Sequence, residues 1–217
     1  MKRLAPLTLI LFVLPSAALA TGGSNDETER LNRADMTLAR RTAVQRRDLF
    51  AGWRLSRSGL PKESDFPCVF DPDLSAFVLT GKYQTVFSHG TTGAQLVSGV
   101  GVFRNVRDAA GDFSASAKPG LLPCLKSAIL AGIRQAHLRS RITTSRMSRT
   151  PRVGAQSVSY RVVATTYPTK TLPSFKMYAD FLAFRQGRSQ ATLMFTAARA
   201  PVQGQLALAR LVQSRMK

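Results

Sequence analysis

The sequence predicts an α+β fold: an antiparallel sheet of about six strands covered by helices, with an additional helix at the N-terminus. Three observations lead there. Runs rich in Val, Phe, Thr and Tyr alternate with helical apolar spacing in the order α-β-β-α-α-β-β-β-β-α. The 217 residues are 44% hydrophobic and 20% charged, which suits one core of ordinary size rather than a disordered basic tail. Gln186-Gly187-Arg188 is a compact turn between two strand-like runs, which makes them a hairpin.

Residues 1–20 read as a secretory signal peptide. Lys2 and Arg3 precede an apolar run from Leu4 to Leu14, Pro15 and Ser16 break it, and Ala18-Leu19-Ala20 offers a small-x-small site with cleavage after Ala20. The apolar run is well short of the ~20 residues a membrane span needs. The expected product is secreted, with no transmembrane segment. In an oxidising compartment Cys68 and Cys124, the chain's two cysteines, are expected to pair. Closing so long a loop stabilises by about 4 kcal/mol in the chain-entropy model. They lack the C-x-x-C spacing of a redox-active pair.

Residues 21–47 are read as an N-terminal polar helix and linker, and 48–217 as a single α+β domain. The helix is expected over about Glu27 to Phe50, with N-cap oxygens from Ser24, Asn25 and Asp26 and an imperfect apolar stripe through Leu31, Met36, Leu38 and Val44. Gly52 stops it, and an irregular stretch runs from Trp53 through Pro61, Pro67 and Pro72. Strands are expected at Ala76 to Ser88 and Gln95 to Arg104, turning at Gly90 to Gly93. Asn105 caps a helix over Val106 to Ala117. A second helix runs from Leu121 to His137, with Leu122, Leu125, Ile129 and Ile133 on one face. Four more strands follow, at about Arg139 to Arg149, Ala155 to Tyr167, Phe175 to Gln186 and Ser189 to Ala198. Val202 to Met216 is the closing helix.

Signatures of catalysis are sparse. There is no G-x-S-x-G elbow, H-E-x-x-H, Walker loop or acidic calcium ladder. No metal site and no cofactor is expected. Gly99-Val100-Gly101 lies inside an expected strand, where close packing of the sheet against a helix accounts for it better than a nucleotide loop. His89 and His137 are the two imidazoles, and a general base at either needs a partner, while acids are scarce. Asp180 is the sole acid after Asp112 and is expected to form a cross-strand ion pair with an arginine. The balance is against an enzyme, with a small secreted hydrolase or transferase using His89 or His137 as the alternative.

Charge is the strongest functional signal. Residues 21–112 carry 12 basic and 11 acidic side chains, whereas residues 113–217 carry 17 and one. Arg134, Arg139, Arg141, Arg146, Arg149 and Arg152 fall within nineteen residues with no acid among them. Charge of one sign on this scale attracts anions and speeds their capture, an effect that salt screens. Three readings compete: a solvated face in an arginine-rich chain, adhesion to an anionic envelope polymer or lipid surface, and nucleic acid binding. Export, sparse surface aromatics and the lack of a reading motif disfavour the last.

The chain resembles exported actinobacterial proteins that carry a domain similar to the PknH-like extracellular sensor domain and, more loosely, the PsbP-like α/β/α fold. The residues that carry the likeness are Asp48-Leu49-Phe50-Ala51-Gly52-Trp53, Pro67-Cys68, Ser98-Gly99-Val100-Gly101-Val102-Phe103, Pro123-Cys124-Leu125, Phe184-Arg185-Gln186-Gly187-Arg188 and Arg215-Met216. The resemblance implies an α/β/α sandwich over about residues 48–216 and a cleft that binds ligands. It assigns no ligand residue.

Together these readings describe a secreted, non-enzymatic binding module for an anionic envelope ligand. The expected contacts are Arg134, Arg139, Arg141, Arg146, Arg149 and Arg152, together with Arg161, Arg185 and Arg188. A purely structural envelope protein is a further alternative.

Overall fold

The computed structural model describes residues 27–61, 73–118, 120–135, 139–146, 152–167, 174–198 and 204–216. The segment 1–20 expected to be a signal peptide, Cys68, His137 and Arg149 lie outside the described residues.

Among the described residues eight strands form one sheet: β1 (Thr28–Glu29), β2 (Trp53–Gly59), β3 (Val78–His89), β4 (Gln95–Phe103), β5 (Arg139–Arg146), β6 (Gln156–Tyr167), β7 (Phe175–Gln186) and β8 (Ser189–Ala197). Their order is β1-β3-β4-β8-β7-β6-β5, with β2 also paired to β3. Four described α-helices accompany them: α1 (Arg33–Thr42), α2 (Val106–Ser116), α3 (Leu121–Gln135) and α4 (Gln205–Ser214). The sheet is larger than the six strands expected and it is mixed, because β1 runs parallel to β3. Neither extra strand has a sequence pattern. β1 has only two residues, and β2 is a mostly exposed edge strand, with a register shift between Leu55 and Arg57.

Strand alternation sends one set of side chains to each face. On one face Phe87, Leu96, Val102, Leu193 and Phe184 pack with Leu38 and Ala39 of α1, Ala43 at its C-cap, and Leu208, Ala209 and Val212 from α4. On the other, Val158, Tyr160, Val162 and Phe181 pack with Phe113 of α2 and Leu121, Leu125 and Ile129 of α3. The result is an α/β/α sandwich. Residues on both sides of position 47 contribute to the first core.

The N-terminal segment departs most from expectation. In place of one helix over 27–50 there are β1, α1 and a single 3-10 turn at Arg46–Asp48. Backbone N–H groups of Thr28, Arg30 and Asn32 donate to the carbonyls of Phe77, just before β3, and of Leu79 and Thr80 on its edge, which holds residues 28–32 extended. Asn32, not Ser24–Asp26, supplies the N-cap, its Oδ1 accepting from Asp35 N at 2.9 Å. The helix ends early because the Val44 backbone bonds to the sheet: Val44 N donates to Ser98 Oγ and Thr85 Oγ1 donates to Val44 O. Tertiary hydrogen bonds outweigh local helix propensity here.

The other elements follow the sequence closely. Asn105 caps α2, accepting from Asp108 N at 2.8 Å. Gly187, at φ 57°, makes the β7–β8 turn, a left-handed conformation that glycine adopts without steric cost. Cys124 lies in the first turn of α3 as expected; its side chain and the whole of Cys68 are outside the described residues.

Candidate functional site: a basic sheet face and a carboxyl-lined cavity

Most described acids are held by particular basic partners. Asp180 takes Arg161 in a two-pronged pair, with Nε to Oδ1 at 2.6 Å and Nη2 to Oδ2 at 2.7 Å. This is the cross-strand ion pair expected from alternation, set by the Arg161–Asp180 register of β6 and β7. Asp35 on α1 takes Arg188 of the β7–β8 turn, at 2.5 and 2.8 Å. Hydrogen bonding from Arg188, opposed by burial, holds the Asp35 carboxyl well below the usual range. Asp48 takes Arg215 beyond α4, at 2.6 and 2.7 Å. Burial disfavours its charge, but Arg215 and the Gln45 N–H outweigh that and lower its pKa. Asp108 pairs with Arg104, and Glu29 with Lys82.

This pairing sorts the candidate arginines. Arg161 and Arg188 have their guanidinium groups committed to Asp180 and Asp35. Arg185 is buried, donating to Gln156 Oε1 and Gly187 O, each at 2.7 Å. Arg141 and Arg152 are exposed and have no acid partner among the described residues. Arg134 is on α3, and Arg139 and Arg146 occupy the two ends of β5; the described side chains do not include these three.

The pairing register joins two cations that have no acid partner among the described residues. Arg141 of β5 faces Thr165 of β6, and Thr165 faces Lys176 of β7. Arg141 and Lys176, both exposed, thus flank one threonine across three strands, about 10 Å apart at ordinary strand spacing. Their neighbour Ile142 packs into the core under α3, so this row lies on the opposite face, away from that helix. Lys176 was not singled out in the sequence, because only the register puts it beside Arg141.

A cavity of about 150 Å³ lies between the sheet and the α2–α3 side. Phe113, Leu121, Val158 and Phe181 line its apolar part, and Asp112, Gln190 and Glu27 its polar part. That is room for a ligand of benzene size. Gly99 helps to shape it: a Cβ built there meets nothing within 4 Å. The glycine therefore leaves open space instead of admitting a closely packed helix, contrary to expectation. Burial pushes the Asp112 carboxyl above its ordinary pKa, against hydrogen bonds with Glu27 and Gln190 that lower it. Gln190 Nε2 donates to Asp112 Oδ2 at 2.6 Å and to Ala109 O.

A raised folded-state pKa means that the native protein binds this proton more tightly than the unfolded chain does. The stabilisation is full below the ordinary aspartate value of about 4 and is lost as pH rises through the folded value. Asp112→Asn imitates the protonated form and is expected to be more stable than wild type near neutrality, with the gain vanishing at about pH 4. Urea unfolding at both pH values checks this; a gain of equal size at each contradicts a buried, titrating Asp112.

His89 sits at the β3–β4 turn, its ring over Gly52, edge-on to Trp53 with centroids 5.4 Å apart, and its Nδ1 3.2 Å from Thr91 Oγ1. Those contacts orient the ring; Asp180 is engaged elsewhere. Among the described residues no cluster of His, Cys, Asp or Glu is arranged to hold a metal ion, and no helix is long and apolar enough to cross a membrane.

No family model matches the chain, and no curated protein matches it. Among solved structures it is similar to the extracellular domain of PknH from Mycobacterium tuberculosis, with a TM-score of 0.52 and 8% sequence identity over 83% of this chain and 95% of that one. At that identity the likeness is one of fold: an α+β sandwich of the same class.

Proposed function

We propose that this protein is an exported, non-enzymatic binding module that holds an anionic envelope ligand, polymer or lipid headgroup, on its basic C-terminal half. The observation that carries the reading is the pairing of charges. Within residues 113–217 the one acid, Asp180, is spent on Arg161, and Arg188 and Arg215 are neutralised by acids of the first half. Arg141, Arg152, Lys176 and Arg210 stay exposed with no acid partner among the described residues. The fold likeness to an extracellular domain and the signal-like N-terminus support export. The Cys68–Cys124 disulfide belongs to the same reading, and two titratable thiols in the exported protein would remove it.

Replacing Arg139, Arg141, Arg146 and Arg149 together by Gln is expected to weaken retention on an anionic polymer at least tenfold while shifting the unfolding midpoint little. Unchanged retention would take the β5 segment out of the account. The cavity beside Asp112 favours a second reading, capture of a small, largely apolar molecule with a hydrogen-bonding end.

A further inference from the structure

The opposite edge of the sheet carries a second basic surface. Between positions 40 and 54 lie Arg40, Arg41, Arg46, Arg47 and Arg54, all exposed, and one acid, Asp48. Asp48 has a side chain only 4% exposed, and its carboxylate is held by Arg215; of the five arginines, Arg47 adds a coulombic attraction to it. Arg40 and Arg41 end α1, where a cation meets the helix dipole favourably. Arg46 is tied to Leu49 O and Arg47 attracts the Asp48 carboxylate, while strand alternation turns Arg54 to the sheet face opposite Leu55.

Apolar side chains project from the same place. Phe50 is 86% exposed and Leu55 is 50% exposed. Leu55 lines a groove with Arg40, Arg41 and Arg46, over the side chains of Tyr83 and Phe87. The Arg46 guanidinium donates to Leu49 O at 3.0 Å, which holds it next to Phe50. Large apolar residues left in water among exposed arginines that form no salt bridge among the described residues fit the boundary of an anionic bilayer, where rings and alkyl groups enter the headgroup layer and guanidinium groups meet phosphate.

We propose that this α1–β2 edge docks the protein on an anionic phospholipid surface, with Phe50 and Leu55 inserted and Arg40, Arg41, Arg46 and Arg47 on headgroup phosphates. The surface is independent of the C-terminal one. From β2 to β5 there are six strand steps, about 29 Å at ordinary spacing, so one can fail without the other.

The test is co-sedimentation of the full exported protein with vesicles of phosphatidylcholine, with and without phosphatidylglycerol. It is read alongside emission of Trp53, the sole tryptophan and three residues from Phe50. Wild type is expected to bind only the anionic vesicles, with a blue shift. Arg40→Gln/Arg41→Gln/Arg47→Gln is expected to bind about a hundredfold more weakly. Phe50→Ser is expected to bind about tenfold more weakly and to lose the blue shift. Both changes are at exposed positions, and circular dichroism confirms folding. The variant with Gln at 139, 141, 146 and 149 is expected to keep vesicle binding. Equal binding to neutral vesicles overturns the proposal. So does full binding by both edge variants, or loss only in the variant at 139–149.

Discussion

Replacing Gly81 by alanine is expected to cost about 3 kcal/mol, the upper end of ordinary overpacking. A Cβ at this position would lie 2.4 Å from the Asp35 carbonyl carbon and oxygen and 2.8 Å from Met36 N. These are backbone atoms of the first turn of α1, so no rotamer change relieves the contact. Either β3 or the helix must move. The helix brings Leu38, Ala39 and, at its C-cap, Ala43 to the core, and Asp35 to Arg188, so its displacement loosens one whole face and the β7–β8 turn together. Gly99→Ala is the control, since its Cβ meets nothing within 4 Å, and a change within about 0.5 kcal/mol is expected. Urea unfolding of both variants decides the matter. Equal costs would mean that α1 does not sit against Gly81 in solution.

Asp180→Ala is expected to be about as damaging, near 3 kcal/mol, because it strands a guanidinium on the sheet without its counter-charge. Arg161 is about a quarter exposed, which lets water soften the loss and puts it at the low end for a broken buried pair. Gln205 Nε2 also donates to Asp180 Oδ2 at 3.2 Å, so the variant loosens the start of α4 as well. Removing both partners, as in Arg161→Met/Asp180→Leu, is expected to recover most of the stability, since two apolar groups need no counter-charge. The functional consequence is specific. Arg161→Gln should lower the unfolding midpoint and leave anion retention unchanged per folded molecule. Loss of retention at unaltered stability would return Arg161 to the binding surface.

Periodicity made the long strands legible, together with α2, α3 and α4, because each buries a regular apolar set in one of the two cores. The Gln186-Gly187-Arg188 turn and the Asn105 cap were legible for the same local reason: their chemistry lies in adjacent residues. β1 and β2 were not, since two residues have no period and an exposed edge strand has no apolar alternation. The early end of α1 is written in Ser98 and Thr85, more than forty positions away from the backbone they bind.

The candidate site was legible as composition more than as geometry. Counting arginines located the basic half, but charge counts do not tell Arg141, in water, from Arg161 and Arg188, locked onto Asp180 and Asp35. The near-neutral balance of residues 21–112 likewise hid the α1–β2 edge, because Asp35, Asp48 and Asp108 are spent on internal pairs while the arginines between 40 and 54 are not. Partner choice across the sheet decides both cases, and it depends on register.

Retention of the exported protein on an immobilised phosphate-bearing polysaccharide, eluted across a salt series, tests the central claim most directly. The account predicts firm retention at low ionic strength that falls steeply as salt screens the arginine face, with the variant at 139, 141, 146 and 149 eluting earlier. A protein that passes through unretained at low salt would contradict it, leaving the C-terminal charge as a solubility feature and the cavity beside Asp112 as the place to look for a ligand.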